Sequence, residues 1–371
     1  MSTAAAAVDT SAAILYTTGG VLENICAPPS LDIHQHRGRM FAASAEDGNV
    51  YISKKFSPGE GVSFVDAVYV NMDRQGGIVR AMETLDDKLI LFKKDRMYVL
   101  LGDGPVNTGQ QNDYQDPELI VSDVGSIYPR SIVSTSAGIY FQSDKGVYLL
   151  TRALTVQYIG APLEDTISTT FLTSAVLNAT KNEIRWTQGS NSGSAYAYVY
   201  NYYFNQWMTF KTYDAVSACS WKGQYCRLDA NGYLYLETTN DYAEYDGTAI
   251  PYAIETGWLA FAGLAGFQRL YRLTLLGEIR TSSPPQIVVK LAYDYVNTYT
   301  ETINFTPSGT TGDYVNYEIA PARQKCEAVK LRIEVNTGVN AGYRLVNMSA
   351  LIGRKGGQTK FPLASQAGGR T

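Results

Sequence analysis

The sequence predicts an all-β fold: a β-propeller-like domain of four-stranded antiparallel blades, followed by a C-terminal β-sandwich. Three observations predict it. A hairpin unit recurs five times along the first two-thirds of the chain. The composition is rich in Tyr (28) and Gly (33), which suits half-buried strands joined by tight turns. Near residue 250 the pattern gives way to longer strands without that turn.

The elements follow in order. Residues 1–30 open with "MSTAAAAVDTSAAILY", which has no basic start, so it reads as a flexible lead-in and not a secretory leader. The first hairpin is Gly38–Phe56, turning at "EDGN". The second is Asp87–Gly102, turning at "KKDR". Ala137–Leu154 turns at "SDKG", Asn182–Asn201 at a Gly- and Ser-rich stretch, and Gly223–Thr238 at "DANG". Gly and Asn tolerate the positive φ that tight turns need. The units lie roughly 40–50 residues apart, the spacing of propeller blades. Phe64–Met72, Ile78–Leu85, Ser131–Ala137 and Ala215–Trp221 supply further strands, which makes about four per repeat. Leu163–Leu172 allows one or two helical turns. The propeller-like domain is therefore expected over 31–250 and the sandwich over 251–353, with strands concentrated in Leu273–Gly353. A basic, flexible tail is expected over 354–371, where Arg354, Lys355, Lys360 and Arg370 meet no acid.

The net charge of −4 leaves no general nucleic-acid footprint. No apolar run is long enough for a membrane-spanning helix. Cys26, Cys219, Cys226 and Cys326 are scattered and read as small apolar residues, not as a disulfide framework. His34 and His36 share a strand face at metal-ligand spacing, but the chain holds no third His, so exposed strand histidines are the plainer reading and no metal is assigned. Paired acids occur at Asp86/Asp87, Glu164/Asp165 and Asp313/Glu318; glycoside hydrolysis needs two carboxylates facing each other across a sugar, and Asp86 and Asp87, at the start of a strand, read as ordinary turn residues. No phosphate loop, dinucleotide fingerprint, zinc-protease motif or nucleophile elbow occurs. Catalytic residues, cofactors and metals are accordingly expected to be none. Tyr196, Tyr198, Tyr200 and Tyr202 share one strand face, which could stack sugars or bases but more simply fills the space between sheets. For subunit contacts, the long polar loop Leu100–Asp113 offers Asp103, Asn107, Gln110 and Asp113, and the tail offers Arg354, Lys355 and Lys360.

Three stretches carry a family resemblance: "DIHQHRGRMFAASAEDGNVYISKKF", "LDDKLILFKKDRMYVLLGDGP" with "DVGSIYPRSIVSTSAGIYFQSDKGVYLL", and "PARQKCEAVKLRIEV" with "LIGRKGG". They resemble the tail nozzle family (tail tubular protein B) of short-tailed bacteriophages, over about Ile33 to Lys360. The resemblance implies a non-enzymatic virion protein, made in the host bacterial cytoplasm. It would form a homo-oligomeric ring, six-fold in that family, below the tail adaptor and beside other tail proteins. Its channel would pass double-stranded DNA during ejection. The alternatives are a receptor- or glycan-binding tail protein, and behind that a glycan-cleaving propeller enzyme.

Overall fold

The computed structural model describes residues 24–359, apart from 57, 60, 108–113, 168–171, 189–194, 212, 239–249, 264–265 and 338–340. The chain divides into two compact units, Met1–Glu237 and Thr238–Thr371.

The first unit is a series of small antiparallel sheets, each laid down in strand order. Blade 1 holds β1 (Ser30–His36), β2 (Arg39–Ser44), β3 (Val50–Ser53) and β4 (Phe64–Val70). Blade 2 holds β5 (Ala81–Leu85), β6 (Lys88–Phe92), β7 (Arg96–Leu100) and β8 (Glu118–Ser122). Blade 3 holds β9 (Val133–Ser134), β10 (Gly138–Ser143), β11 (Gly146–Thr151) and β12 (Val156–Tyr158). After a one-turn helix, α1 (Glu164–Ile167), blade 4 holds β13 (Ser174–Asn178), β14 (Glu183–Thr187), β15 (Tyr196–Asn201) and β16 (Gln206–Lys211). Blade 5 has three described strands: β17 (Ser217–Trp221), β18 (Gln224–Leu228) and β19 (Leu234–Leu236).

The five repeated hairpins of the sequence are the two middle strands of these sheets. Their burial explains why the repeat was legible. In β6, Leu89, Ile90, Leu91 and Phe92 are all fully buried, so the strand reads as one apolar run. Leu89 and Leu91 pack with Phe41 and Ile52 of blade 1, while Ile90 and Phe92 pack with Ile139 and Phe141 of blade 3. β6 therefore feeds two cores at once. Burying one such side chain contributes about 1.5–3 kcal/mol.

The connections are tight. Arg37 and Gly38 both take positive φ (47° and 75°), as do Lys222 and Gly223 (50° and 79°). That is the backbone of a two-residue hairpin turn matching strand twist. The first strands of successive blades lie side by side: β1 by β5, β5 by β9, β9 by β13 and β13 by β17. Among the described residues, β17 and β1 do not share comparable contact. In keeping with that, blade 1 leaves Leu31, Ile33 and Tyr69 exposed, and blade 5 leaves Trp221, Leu234 and Leu236 exposed.

The second unit is a sandwich of two sheets. One orders β20 (Tyr252–Glu255), β26 (Val329–Asn336), β22 (Gln286–Tyr293) and β23 (Glu301–Phe305). The other joins β24 (Tyr314–Ile319), β21 (Gly266–Ile279) and β25 (Lys325–Cys326), with β27 (Tyr343–Thr359) also on β21. Ile287, Val289, Leu291, Leu331, Ile333 and Val335 alternate inward from β22 and β26 to make the core. The expected tail does not start at 354: β27 continues through Thr359, and its backbone pairs Arg354 with Gln268 and Thr359 with Gly266.

Candidate functional site

A polar cluster forms where the first strand of blade 1 meets the first strand of blade 2. The β5–β6 turn has two residues, which makes Leu85 and Lys88 a mutually bonded pair. Every second residue back, Glu83 and Ala81, then also bonds β6. Met82 and Thr84 are left with amides directed to the free edge of β5. A free edge inside a protein needs partners, and side chains supply them. Asp32 Oδ2 accepts from Met82 N at 2.7 Å. Glu83 Oε1 accepts from Thr84 N at 3.3 Å. Ser134 Oγ donates to Thr84 O at 3.4 Å, which extends the cluster to blade 3.

The Thr84 hydroxyl also holds both histidines, His34 Nε2 at 2.8 Å and His36 Nδ1 at 3.1 Å. Strand periodicity puts Asp32, His34 and His36 on the face of β1 turned to blade 2. Here the expectation of exposed histidines is corrected: His36 is buried and His34 half-buried, because this strand edge lies against a neighbouring blade.

The electrostatics are those of charge held out of water. Burial pushes Glu83 up to about 7, against the pull of the Thr84 amide, and the Asp32 charge adds to the rise. Burial also raises Asp32, against the Met82 amide and His34. Both histidines are pushed down by burial. Among the described residues neither carboxyl has a salt-bridge partner, and no group of three or more His, Cys, Asp or Glu is arranged to hold a metal ion.

The residues singled out from sequence fall elsewhere. The tyrosine face is a core, not a binding surface: Tyr198 and Tyr200 are 1% and 5% exposed and pack with Tyr140 and Trp186 between blades 3 and 4. Their hydroxyls, with that of Tyr202, bond Gln188, Asn205 and Asn182. Tyr196 stacks on Tyr198. The long loop is tied back to its own chain. Asp103 pairs with Arg37 at 2.8 Å, the Asn107 side chain bonds both backbone groups of Lys55, and Pro105 O accepts from Arg39. Gln110, Asp113 and Lys360 lie outside the described residues; Arg354 and Lys355 are on β27. Of the acidic pairs, Asp86 meets Arg152, Asp87 meets Lys88, Glu318 meets Arg272, and Asp313 caps Thr310. Asp86 with Asp87 and Asp313 with Glu318 are thus engaged elsewhere, and the Asp165 side chain of the third pair lies outside what the structure describes.

Sequence reasoning missed Asp32 and Glu83. The available signal was an acid inside an apolar strand, "AMETL", and the alternation of Asp32 with His34 and His36 in "LDIHQH".

No family model matches the chain, and no curated protein matches it. Solved structures do. An exo-β-1,3-galactanase from Phanerochaete chrysosporium is 10% identical with a TM-score of 0.33, covering 91% of this chain and 99% of its own. A family 43 arabinoxylan arabinofuranohydrolase from Bacillus subtilis is 10% identical with a TM-score of 0.26, covering 86% and 94%. A Cry1Da tryptic core variant from Bacillus thuringiensis is 8% identical with a TM-score of 0.21, covering 74% and 50%. At these TM-scores the likeness assigns no chemistry to this chain. The leading functional expectation is corrected at this point. The non-enzymatic nozzle subunit finds no counterpart among these structures: none is a tail protein, and two of the three are carbohydrate-cleaving enzymes.

Proposed function

We propose that the protein acts on a glycosidic bond at the β1–β5 edge, with Glu83 as proton donor and Asp32 as its carboxylate partner. One observation carries this reading: two carboxyls without cationic partners flank the same backbone segment, and one of them holds its proton to about pH 7. An acetal asks for little else. Its cleavage needs an acid for the leaving oxygen and a carboxylate for the oxocarbenium-like transition state or for the incoming water. Contrasting environments that separate the pKa values of two carboxyls are how one site runs both roles. Asp32 keeps a backbone N–H donor and the nearby His34 imidazole, which favour its ionised form over that of Glu83. On a phage tail, where the sequence resemblance would put it, the substrate would be a host-surface polysaccharide.

The test is reducing-end release from a panel of bacterial and plant polysaccharides. Glu83→Gln is expected to lower turnover by about 10²–10⁴-fold, the usual worth of a general acid, and Asp32→Asn to do likewise. Activity should fall as pH rises through 7, because the donor must be protonated. Absence of release from every polysaccharide, or full activity in both variants, would sink the proposal.

A second reading, glycan binding without turnover, is favoured by Trp221. Its ring is 61% exposed on β17, with the Lys222 ammonium 5.7 Å from the ring centroid. Flat exposed aromatics stack on sugar faces. Retention on immobilised polysaccharide that is lost in Trp221→Ala and kept in Glu83→Gln would select it.

A further inference from the structure

The second unit holds a different kind of space. A cavity of about 230 Å³ opens between its two sheets. Leu270 and Leu273 of β21, Leu291 of β22 and Leu331 of β26 line it, with Met348 and Ile352 from β27. Ser349 is the one polar side chain of the lining. Phe261, Ser349 and Ala350 also line it and are exposed, so the cavity reaches the surface there.

Two features keep this space from collapsing. The β21–β27 ladder skips a residue between Leu270 and Arg272, and such a bulge bends the strand that forms one wall. The segment Leu259–Phe261 is clamped to both sheets. Leu259 exchanges backbone bonds with Val329 of β26. The buried Gln268 side chain of β21 donates to Leu259 O at 2.8 Å and accepts from Phe261 N at 2.7 Å. A buried amide fixed on both of its atoms holds the rim of the opening as a rigid frame.

We infer that this cavity binds an uncharged apolar molecule the size of a single ring or of a six- to eight-carbon chain. Size and lining set the class. An apolar cavity of about 150 Å³ is known to stay dry and take benzene. One hydroxyl cannot supply the two to four partners that a water needs. A charged ligand would meet no counter-ion in the lining.

The experiment uses the full chain with methyl-labelled Ile, Leu, Val and Met, titrated with toluene. Saturable shifts are expected, confined to Leu270, Leu273, Leu291, Val329, Leu331, Met348 and Ile352, with a dissociation constant on the order of 0.1–1 mM. Ala350→Phe, at an exposed position of the mouth, should weaken binding at least tenfold while leaving distant methyl signals in place. Leu331→Ala enlarges the space and should shift preference toward naphthalene. Shifts that never saturate, that spread through both units, or that survive Ala350→Phe unchanged would overturn the assignment.

Discussion

Two seams between neighbouring blades carry buried or half-buried charge, and they resolve it in opposite ways. Between blades 4 and 5, Arg185 has a side chain only 3% exposed and meets Glu183 at 2.9 Å and Glu237 at 2.6 Å. Lys181 adds a second cation to Glu237 at 2.5 Å, and the Tyr225 ring lies under the guanidinium at 4.8 Å. Burial alone would lower the Arg185 pKa, yet the bonds it donates to the two glutamates leave it raised. Glu237 is held below its usual range by Arg185 and Lys181, despite burial. Between blades 1 and 2, Asp32 and Glu83 have backbone donors and no cation, and burial prevails. A seam whose charges are matched locks two blades together. A seam whose acids are left unmatched keeps a proton ready to move.

The largest effect should come from breaking the matched seam. Arg185→Ala leaves Glu183 without a cation and Glu237 with Lys181 alone, and removing one partner of a buried pair costs about 3–5 kcal/mol. Asp32→Asn in the other seam should cost under about 1 kcal/mol, because it takes away a charge that burial already disfavours. Urea unfolding of both variants tests the contrast. Equal losses would mean that the seams do the same work.

The second effect is in pH. Folded Glu83 keeps its proton to about 7, whereas an unfolded Glu releases it near about 4.3. The folded state therefore binds more protons across that window, and stability falls as pH rises through it. The loss should be on the order of 2 kcal/mol after allowance for solvent screening, and Glu83→Gln should flatten most of it. Glu237 runs the other way: its contribution is present above the ordinary carboxylate range and is lost as pH falls through and below that range. Melting temperature against pH, in wild type and Glu83→Gln, separates the two slopes. The lowered His34 and His36 slope the opposite way across the same window, so the deciding comparison is between the two proteins: a slope between pH 5 and 7 that Glu83→Gln leaves unchanged would remove the raised Glu83 from the site.

The fold was far more legible than the site, for a physical reason. β6 and β10 are buried on both faces, so their apolar runs and bounding turns stand out in one dimension. The same logic gave the sandwich strands, where Val329–Asn336 alternates inward and outward. The tyrosine alternation was equally visible, but alternation does not say whether a face meets solvent or another blade; here Tyr198 meets blade 3. The site depends on pairing between first strands some fifty residues apart. Asp32 reaches Met82 and His34 reaches Thr84 across that separation, and no local pattern encodes it. The nearby pairs that did attract attention, such as Asp86 with Asp87, belong to a turn and find surface cations.

The smallest effect tests whether the unmatched seam is organised or merely packed. The Thr84 hydroxyl has one hydrogen and sits between two ring nitrogens. Facing two neutral imidazoles, it donates to one and accepts an N–H from the other, so the two rings must adopt the same tautomer, both Nε2–H or both Nδ1–H. Burial favours the neutral form of both. Thr84→Val keeps the shape and removes both bonds, at a cost of about 1 kcal/mol, while Thr84→Ser should recover most of it. The sharper reading is the imidazole nitrogen spectrum. In the wild type His34 and His36 should each show a single dominant tautomer, and in Thr84→Val each should become a mixture. Unchanged spectra with unchanged stability would mean that the hydroxyl does not link the rings, and the difference between the two seams would then rest on Glu83 and Asp32 alone.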